Sequence, residues 1–163
     1  MKRFQINIPL RRAGMATLVA GFVLAAGPGQ AQSADPATAI AARKTGYGEI
    51  GAAFKTVNDE LRKPKPLAIV LTRSTATIKK TAPRAANWFP AGSGPAPGVK
   101  TSAKAEIWTK KAEFDAIQAR FLVNVDKLDK LAAAGDMKAL QAQARVVGGD
   151  CKACHDKFRT PQD

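Results

Sequence analysis

Apolar residues return with heptad regularity at Ile40, Tyr47, Phe54 and Leu61, and Ile50 and Val57 fall between them. That spacing predicts an amphipathic helix, and Pro64 ends it because its ring removes a backbone donor. A second helix is predicted after Pro66, carrying Leu67, Val70, Leu71 and Ile78 on one side until Pro83 disturbs it. Only a tight link separates the two, so they are expected to be antiparallel neighbours. From Asn87 to Lys100 the chain is too rich in proline and glycine for regular structure, and it reads as a crossover loop. Ser102 is a candidate N-cap for a short turn through Trp108. A third long helix follows from Phe114, Ile117, Phe121, Val125, Leu128 and Leu131. Gly135 then supplies a stop and Asp136 a cap for a fourth helix, with Met137, Leu140, Ala144 and Val147 at helical spacing. There is neither strand-like alternation nor an internal repeat. Four amphipathic helices with a long middle connection and two short outer ones predict an all-α, antiparallel four-helix bundle.

The first residues do not belong to that pattern. Lys2, Arg3, Arg11 and Arg12 precede an apolar stretch from Met15 to Ala26 and the small-x-small triplet Gly29-Gln30-Ala31. This predicts a secretory signal peptide over 1–31, cleaved to leave one domain over 32–163. The apolar run is too short for a permanent membrane anchor, which takes about 20 apolar residues. Arg11-Arg12 could mark a twin-arginine signal, but Ala13-Gly14-Met15 after it favours the ordinary secretory route and a periplasmic destination. Removing the four leader cations takes the formal charge from +13 to +9. Such a charge suits an acidic redox partner or an anionic surface. Nucleic acid is disfavoured, because the cations are scattered through every segment and no recognised binding motif is present.

The candidate chemistry is concentrated in five residues. The chain's two cysteines and its only histidine form the word Cys151-Lys152-Ala153-Cys154-His155. C-x-x-C-H is the c-type haem attachment signature. Thiols one helical turn apart can each bond one vinyl group of a single porphyrin while the adjacent imidazole ligates the iron. A thioredoxin-like pair would need a strand before it, and a zinc site could not complete four ligands from these residues. A structural disulfide is the remaining bland reading. Haem c tethered to the last helix would lie between helices as a large part of the core.

The haem word, the run Arg43-Lys44-Thr45-Gly46-Tyr47-Gly48-Glu49-Ile50-Gly51-Ala52-Ala53-Phe54-Lys55, the segments Trp88 to Gly94 and Glu106-Ile107-Trp108, and the ending through Phe158-Arg159 together resemble the class II cytochromes c, and among them the cytochromes c′. The resemblance covers nearly all of the chain beyond the leader. It implies that Arg43 and Lys44 contact the haem propionates, with Ser102 at the propionate edge and Trp88 against the porphyrin. It places Arg159 on the proximal side of the haem; a surface cation favoured by the helix dipole is the alternative. Low-spin relatives keep a methionine four residues after the arginine that Arg43 resembles, and here that place holds Tyr47. Met137 lies 18 residues before His155 on the same predicted helix, about 27 Å away, and no second histidine exists. A five-coordinate, high-spin iron is therefore expected. Tyr47 is either one more core aromatic, a cap on the open face, or a direct ligand as in catalase. Gly46 and Gly48 should each cost a helix interior about 1 kcal/mol, and their expected use is close approach of the helix backbone to the porphyrin or a neighbouring helix. The resemblance also implies a homodimer through the first two helices, the second carrying the small residues Ser74, Thr75, Ala76 and Thr77.

Three functions fit these readings. The first is an exported haem protein, not an enzyme, that binds small gases such as nitric oxide and carbon monoxide. The second is an electron carrier, including a six-coordinate one. The third, a peroxidase-like enzyme, lacks a distal histidine for acid–base cleavage of peroxide.

Overall fold

The computed structural model describes residues 35–96 and 98–161. The expected leader, 1–31, lies outside the described residues. Helix α1 spans Pro36–Leu61, started by Asp35, whose carboxylate accepts from Thr38 N at 3.0 Å, and by proline at the first helical position. Helix α2 spans Ala68–Thr81, and Pro83 tightens the chain into a 3₁₀ turn, Ala82–Asn87, instead of breaking it. A short α3, Glu106–Thr109, leads into α4, Lys111–Ala134. Gly135 ends α4 in the left-handed region at φ 71°, the conformation that glycine adopts without a Cβ penalty. Asp136 caps α5, Met137–Phe158, by accepting from Ala139 N at 2.9 Å.

Ser102 does something other than the capping expected of it. Ala105 occupies the cap position of α3, while the segment 102–104 runs antiparallel to 158–160. Lys104 N donates to Phe158 O (2.9 Å) and Thr160 N to Ser102 O (2.8 Å). The end of the chain is thus tied to the crossover.

Helices α1, α2, α4 and α5 form the antiparallel four-helix bundle, with α1 packed on α2, α2 on α4 and α4 on α5. The α1–α5 seam is the most sparsely packed of the four. Val57, Leu71, Ile78, Leu128 and Leu140 form the fully covered centre of the larger core cluster. Each such burial contributes about 1.5–3 kcal/mol, against about 0–1 for an exposed ion pair, so apolar packing decides the fold. A smaller cluster joins Ala103, Ile107, Phe114, Ile117 and Phe158 near the end of α5.

Buried polar side chains fix how the helices are set against one another. Thr75 Oγ1 donates to Asp129 Oδ1 (3.1 Å), so this member of the small-residue run on α2 faces its own chain. Between α4 and α5, buried Asp150 accepts from Arg120 Nε (2.6 Å) and Asn124 Nδ2 (2.7 Å), and Gln143 Nε2 donates to Asn124 O (3.0 Å). At the α1–α2 link, covered Glu60 accepts from Lys63 Nζ (2.6 Å) and from Leu67 N (2.7 Å), one of the backbone donors that no helix partner serves at the start of α2.

The Lys63 hydrogen bond, followed by that from Leu67, holds the Glu60 carboxyl below its usual range. A depressed folded pKa adds stability above the ordinary value near 4.5, and that stability is lost as pH falls through the folded value. Glu60→Ala should therefore lower the urea midpoint at pH 7, with the gap to the parent narrowing below pH 4.5. A gap of constant size down to pH 3 would contradict this assignment.

Candidate haem site

Helix α5 places Cys151 against the larger cluster and Cys154 against the smaller one, both half-buried and three residues apart on one face. The two sulfurs are free thiols. Burial, then the Asp150 carboxylate, pushes the Cys151 thiol up, while burial and Cys151 push Cys154 up to about 11. Both are protonated at neutral pH. His155 is accessible, and partial desolvation followed by the Arg159 cation holds its imidazole below the usual histidine range. It is neutral at pH 7, the form that binds a metal.

Helix α1 supplies the opposite wall. A Cβ on Gly148 would lie 3.7 Å from the Phe54 ring, so the two helices touch one turn before Cys151. Seven residues back along α1, about 10.5 Å, stands Tyr47. Because the helices are antiparallel, Tyr47 comes level with Cys154 and His155. Desolvation, and then the nearby Cys154, push its phenol pKa up; a hydrogen bond from Gln118 opposes them. Gln118 Nε2 donates to Tyr47 Oη at 3.1 Å.

The crossover packs beside Tyr47 as a set of rings. Trp88 meets Tyr47 edge to face with centroids 4.9 Å apart, and Phe89 lies 6.3 Å from Tyr47. Phe89 continues to Phe114 (4.9 Å) and Phe114 to Phe158 (5.3 Å). Trp88 also explains Gly46: a Cβ there would sit 2.0 Å from Trp88 Cη2. Among the described residues nothing lies within 4 Å of a Cβ on Gly48.

Arg43 anchors this assembly. Its guanidinium, 5% exposed, donates to Ser93 Oγ (3.1 Å), Ser93 O (2.7 Å) and Thr101 Oγ1 (2.6 Å), with a long bond to Trp88 O (3.5 Å). It also stands 5.2 Å from the Phe89 centroid, a cation–π distance. Burial lowers its pKa from the usual arginine value. No acid pairs with it among the described residues. Lys44 Nζ reaches Lys100 O (3.1 Å) on the same crossover.

Of the sequence candidates, Cys151, Cys154, His155, Tyr47, Arg43, Trp88 and Arg159 are gathered by the fold at one end of the bundle. Ser102 reaches that end through its backbone carbonyl. Ser93, Thr101, Phe89 and Gln118 went unnoticed, since each is tied to its partner across 42 to 71 residues. The buried Asp150 and Gln143 did leave a signal, as polar residues on the apolar stripe of α5.

The donor set fits a covalently held porphyrin. Two protonated thiols share a face, a neutral imidazole adjoins them, and a buried cation without a carboxylate stands one turn before Tyr47 on α1, a charge that suits an acidic edge. Fold and site together define a c-type haem protein built on a four-helix bundle. The family profile described as Cytochrome C' matches residues 38–159, and the chain belongs to that family, whose members carry haem c and its iron. It is 31% identical over 128 residues, 78% of this chain and 98% of the relative, to cytochrome c' of Alcaligenes xylosoxydans xylosoxydans. The crystal structure of cytochrome c' from Rubrivivax gelatinosus superposes with TM-score 0.72 at 31% identity, over 79% of this chain and 100% of the other. A nitric oxide complex of a variant cytochrome c prime from Alcaligenes xylosoxidans superposes with TM-score 0.71 at 28% identity, over 79% and 98%.

The two glycines beside Tyr47 should respond oppositely to alanine. Gly46→Ala gains about 1 kcal/mol of helix propensity but drives Trp88 off its seat, at an overpacking cost of about 1–3 kcal/mol, and should lower the melting temperature. Gly48→Ala meets open space and should raise it. Equal shifts in both variants would mean that Trp88 does not rest on Gly46.

Proposed function

We propose that the chain is an exported haem c protein that keeps one axial face of its iron open to small neutral gases, nitric oxide and carbon monoxide among them. In this reading Cys151 and Cys154 hold the haem by thioethers, each thiol adding across one vinyl group, and His155 supplies the axial nitrogen. Haem iron supplies reversible ligand binding and one-electron exchange when bound. Arg43 and Lys44 serve the propionate edge, and Arg159 acts on the imidazole from the proximal side. The predicted leader over 1–31 directs the chain to the periplasm. Among the described residues no helix is long and apolar enough to cross a membrane.

One observation carries the open face: Tyr47 is the side chain that α1 brings level with His155. Burial raises its phenol pKa, which opposes the tyrosinate that would ligate iron. Met137 stands in the first turn of α5, 18 residues from His155 on one continuous helix and about 27 Å away. The chain holds no second histidine. Tyr47 therefore covers the iron without binding it, and the same lack of a distal imidazole leaves peroxide cleavage without its acid–base group. Transfer of single electrons to an acidic partner is a second reading, supported by the formal charge of +9 left without the leader. Association as a homodimer is supported by Leu67 and Ile69, both more than half exposed at the start of α2. Sedimentation at micromolar concentration should then give twice the monomer mass.

Acidic organic solvent should fail to extract the haem from the chain, and Cys151→Ala with Cys154→Ala together should release it. The ferric protein should rest high-spin, and the ferrous protein should take up carbon monoxide. Tyr47→Met should bring a sixth ligand and a low-spin spectrum, whereas Tyr47→Ala should speed gas association and leave the resting spin state high. A low-spin resting spectrum in the parent would refute the open face.

A further inference from the structure

Between the 3₁₀ turn and the first half of α4 lies a cleft of about 210 Å³, walled by Ala85, Phe89, Phe114 and Leu122, with Gln118 among its lining residues. Two of these side chains also touch Tyr47. Gln118 donates to the phenol oxygen at 3.1 Å, and the Phe89 ring lies 6.3 Å from the Tyr47 ring. Gln118 and Phe89 thus stand between the cleft and Tyr47. Its size exceeds the roughly 30 Å³ of a water molecule several-fold, so a diatomic gas fits easily. The charged side chains along it, Lys111 and Asp115, pair with each other (2.5 Å) and cancel locally. Such a passage favours neutral, apolar molecules over ions.

Tyr47 is otherwise held by ring contacts, which are tolerant of sliding, and its hydroxyl has one recorded tether, the Gln118 amide. We propose that Gln118 is the positioning residue of the open face: it pins Tyr47 over the iron, and neutral diatomic gases reach that face through the cleft between the 3₁₀ turn and α4. This rests on the gas-binding reading given above. Ligand access then requires the amide–phenol hydrogen bond to open, after which the Tyr47 ring can swing from the path. Phe89 supplies the rest of the barrier, and the small side chain of Ala85 keeps the passage clear.

The experiment uses the intact haem protein with carbon monoxide as probe. Tyr47 is the chain's single tyrosine, so ultraviolet resonance Raman reports its phenol alone. Gln118→Leu keeps the bulk but removes the tether. It should shift the Tyr47 band in the resting protein and speed carbon monoxide association about fivefold, the factor equivalent to one ordinary hydrogen bond. Gln118→Glu keeps a tether to the phenol and should restore the rate to within about twofold of the parent. Ala119→Trp, at an exposed α4 position lining the cleft, should slow association and leave the Tyr47 band in place. The proposal is overturned if Gln118→Leu moves neither band nor rate, or if Ala119→Trp leaves the rate unchanged. Failure of the parent protein to take up carbon monoxide would instead sink the gas-binding reading, and the band shift in Gln118→Leu stays readable without any gas.

Discussion

The guanidinium of Arg43 is the interaction on which the site depends. Burying a cation is costly unless its protons are satisfied, and here the crossover satisfies them with the Ser93 and Thr101 oxygens. The longest irregular segment among the described residues is thereby held to α1. Trp88 and Phe89 hang on that segment, and their rings form one side of Tyr47's enclosure. Without Arg43 the bundle would still have its aliphatic centre at Val57, Leu71 and Leu128. It would lose the wall that makes a pocket out of a seam.

The bundle separates stability from chemistry along its length. One stretch is aliphatic and fully covered, and its helices are keyed by Thr75 to Asp129. The other is aromatic, with rings running from Tyr47 through Phe89 and Phe114 to Phe158, three residues past His155. The closing pair of short backbone bonds between 102–104 and 158–160 joins the crossover to the Phe158 end of the aromatic stretch. The Cys151 and Cys154 turn therefore stands between the aliphatic scaffold and the packed rings.

The helices were legible because their signals are local. Heptad spacing from Ile40 to Leu61, the glycine stop at 135 and the aspartate cap at 136 each depend on neighbours within a few residues. The haem word was legible for the same reason. Ser102 was misread as a cap because a serine before a short helix carries the same local signal whether or not its segment is claimed by a distant one, here 158–160. The use of Gly46 could be anticipated only as close approach; that the approaching group is the Trp88 ring depends on how a 3₁₀ turn after α2 returns to α1. Gln118 gave no signal at all. Its partner lies 71 residues away, and glutamine beside an apolar stripe usually faces water.

The contact between Phe54 and Gly148 has a mechanical meaning. It lies on the sparsely packed α1–α5 seam, one turn before Cys151. A seam held by few contacts has little to resist a larger side chain, so the size of residue 148 sets how closely the two helices approach there. An alanine methyl at 148 would stand 3.7 Å from the ring, an ordinary contact, and leave the angle alone. A branched side chain would press on the Phe54 ring and push the helices apart. The spacing of the two helices beside the thiol turn is thus gauged by a residue that carries no side chain at all, and it can be altered without changing Tyr47, Cys154 or His155.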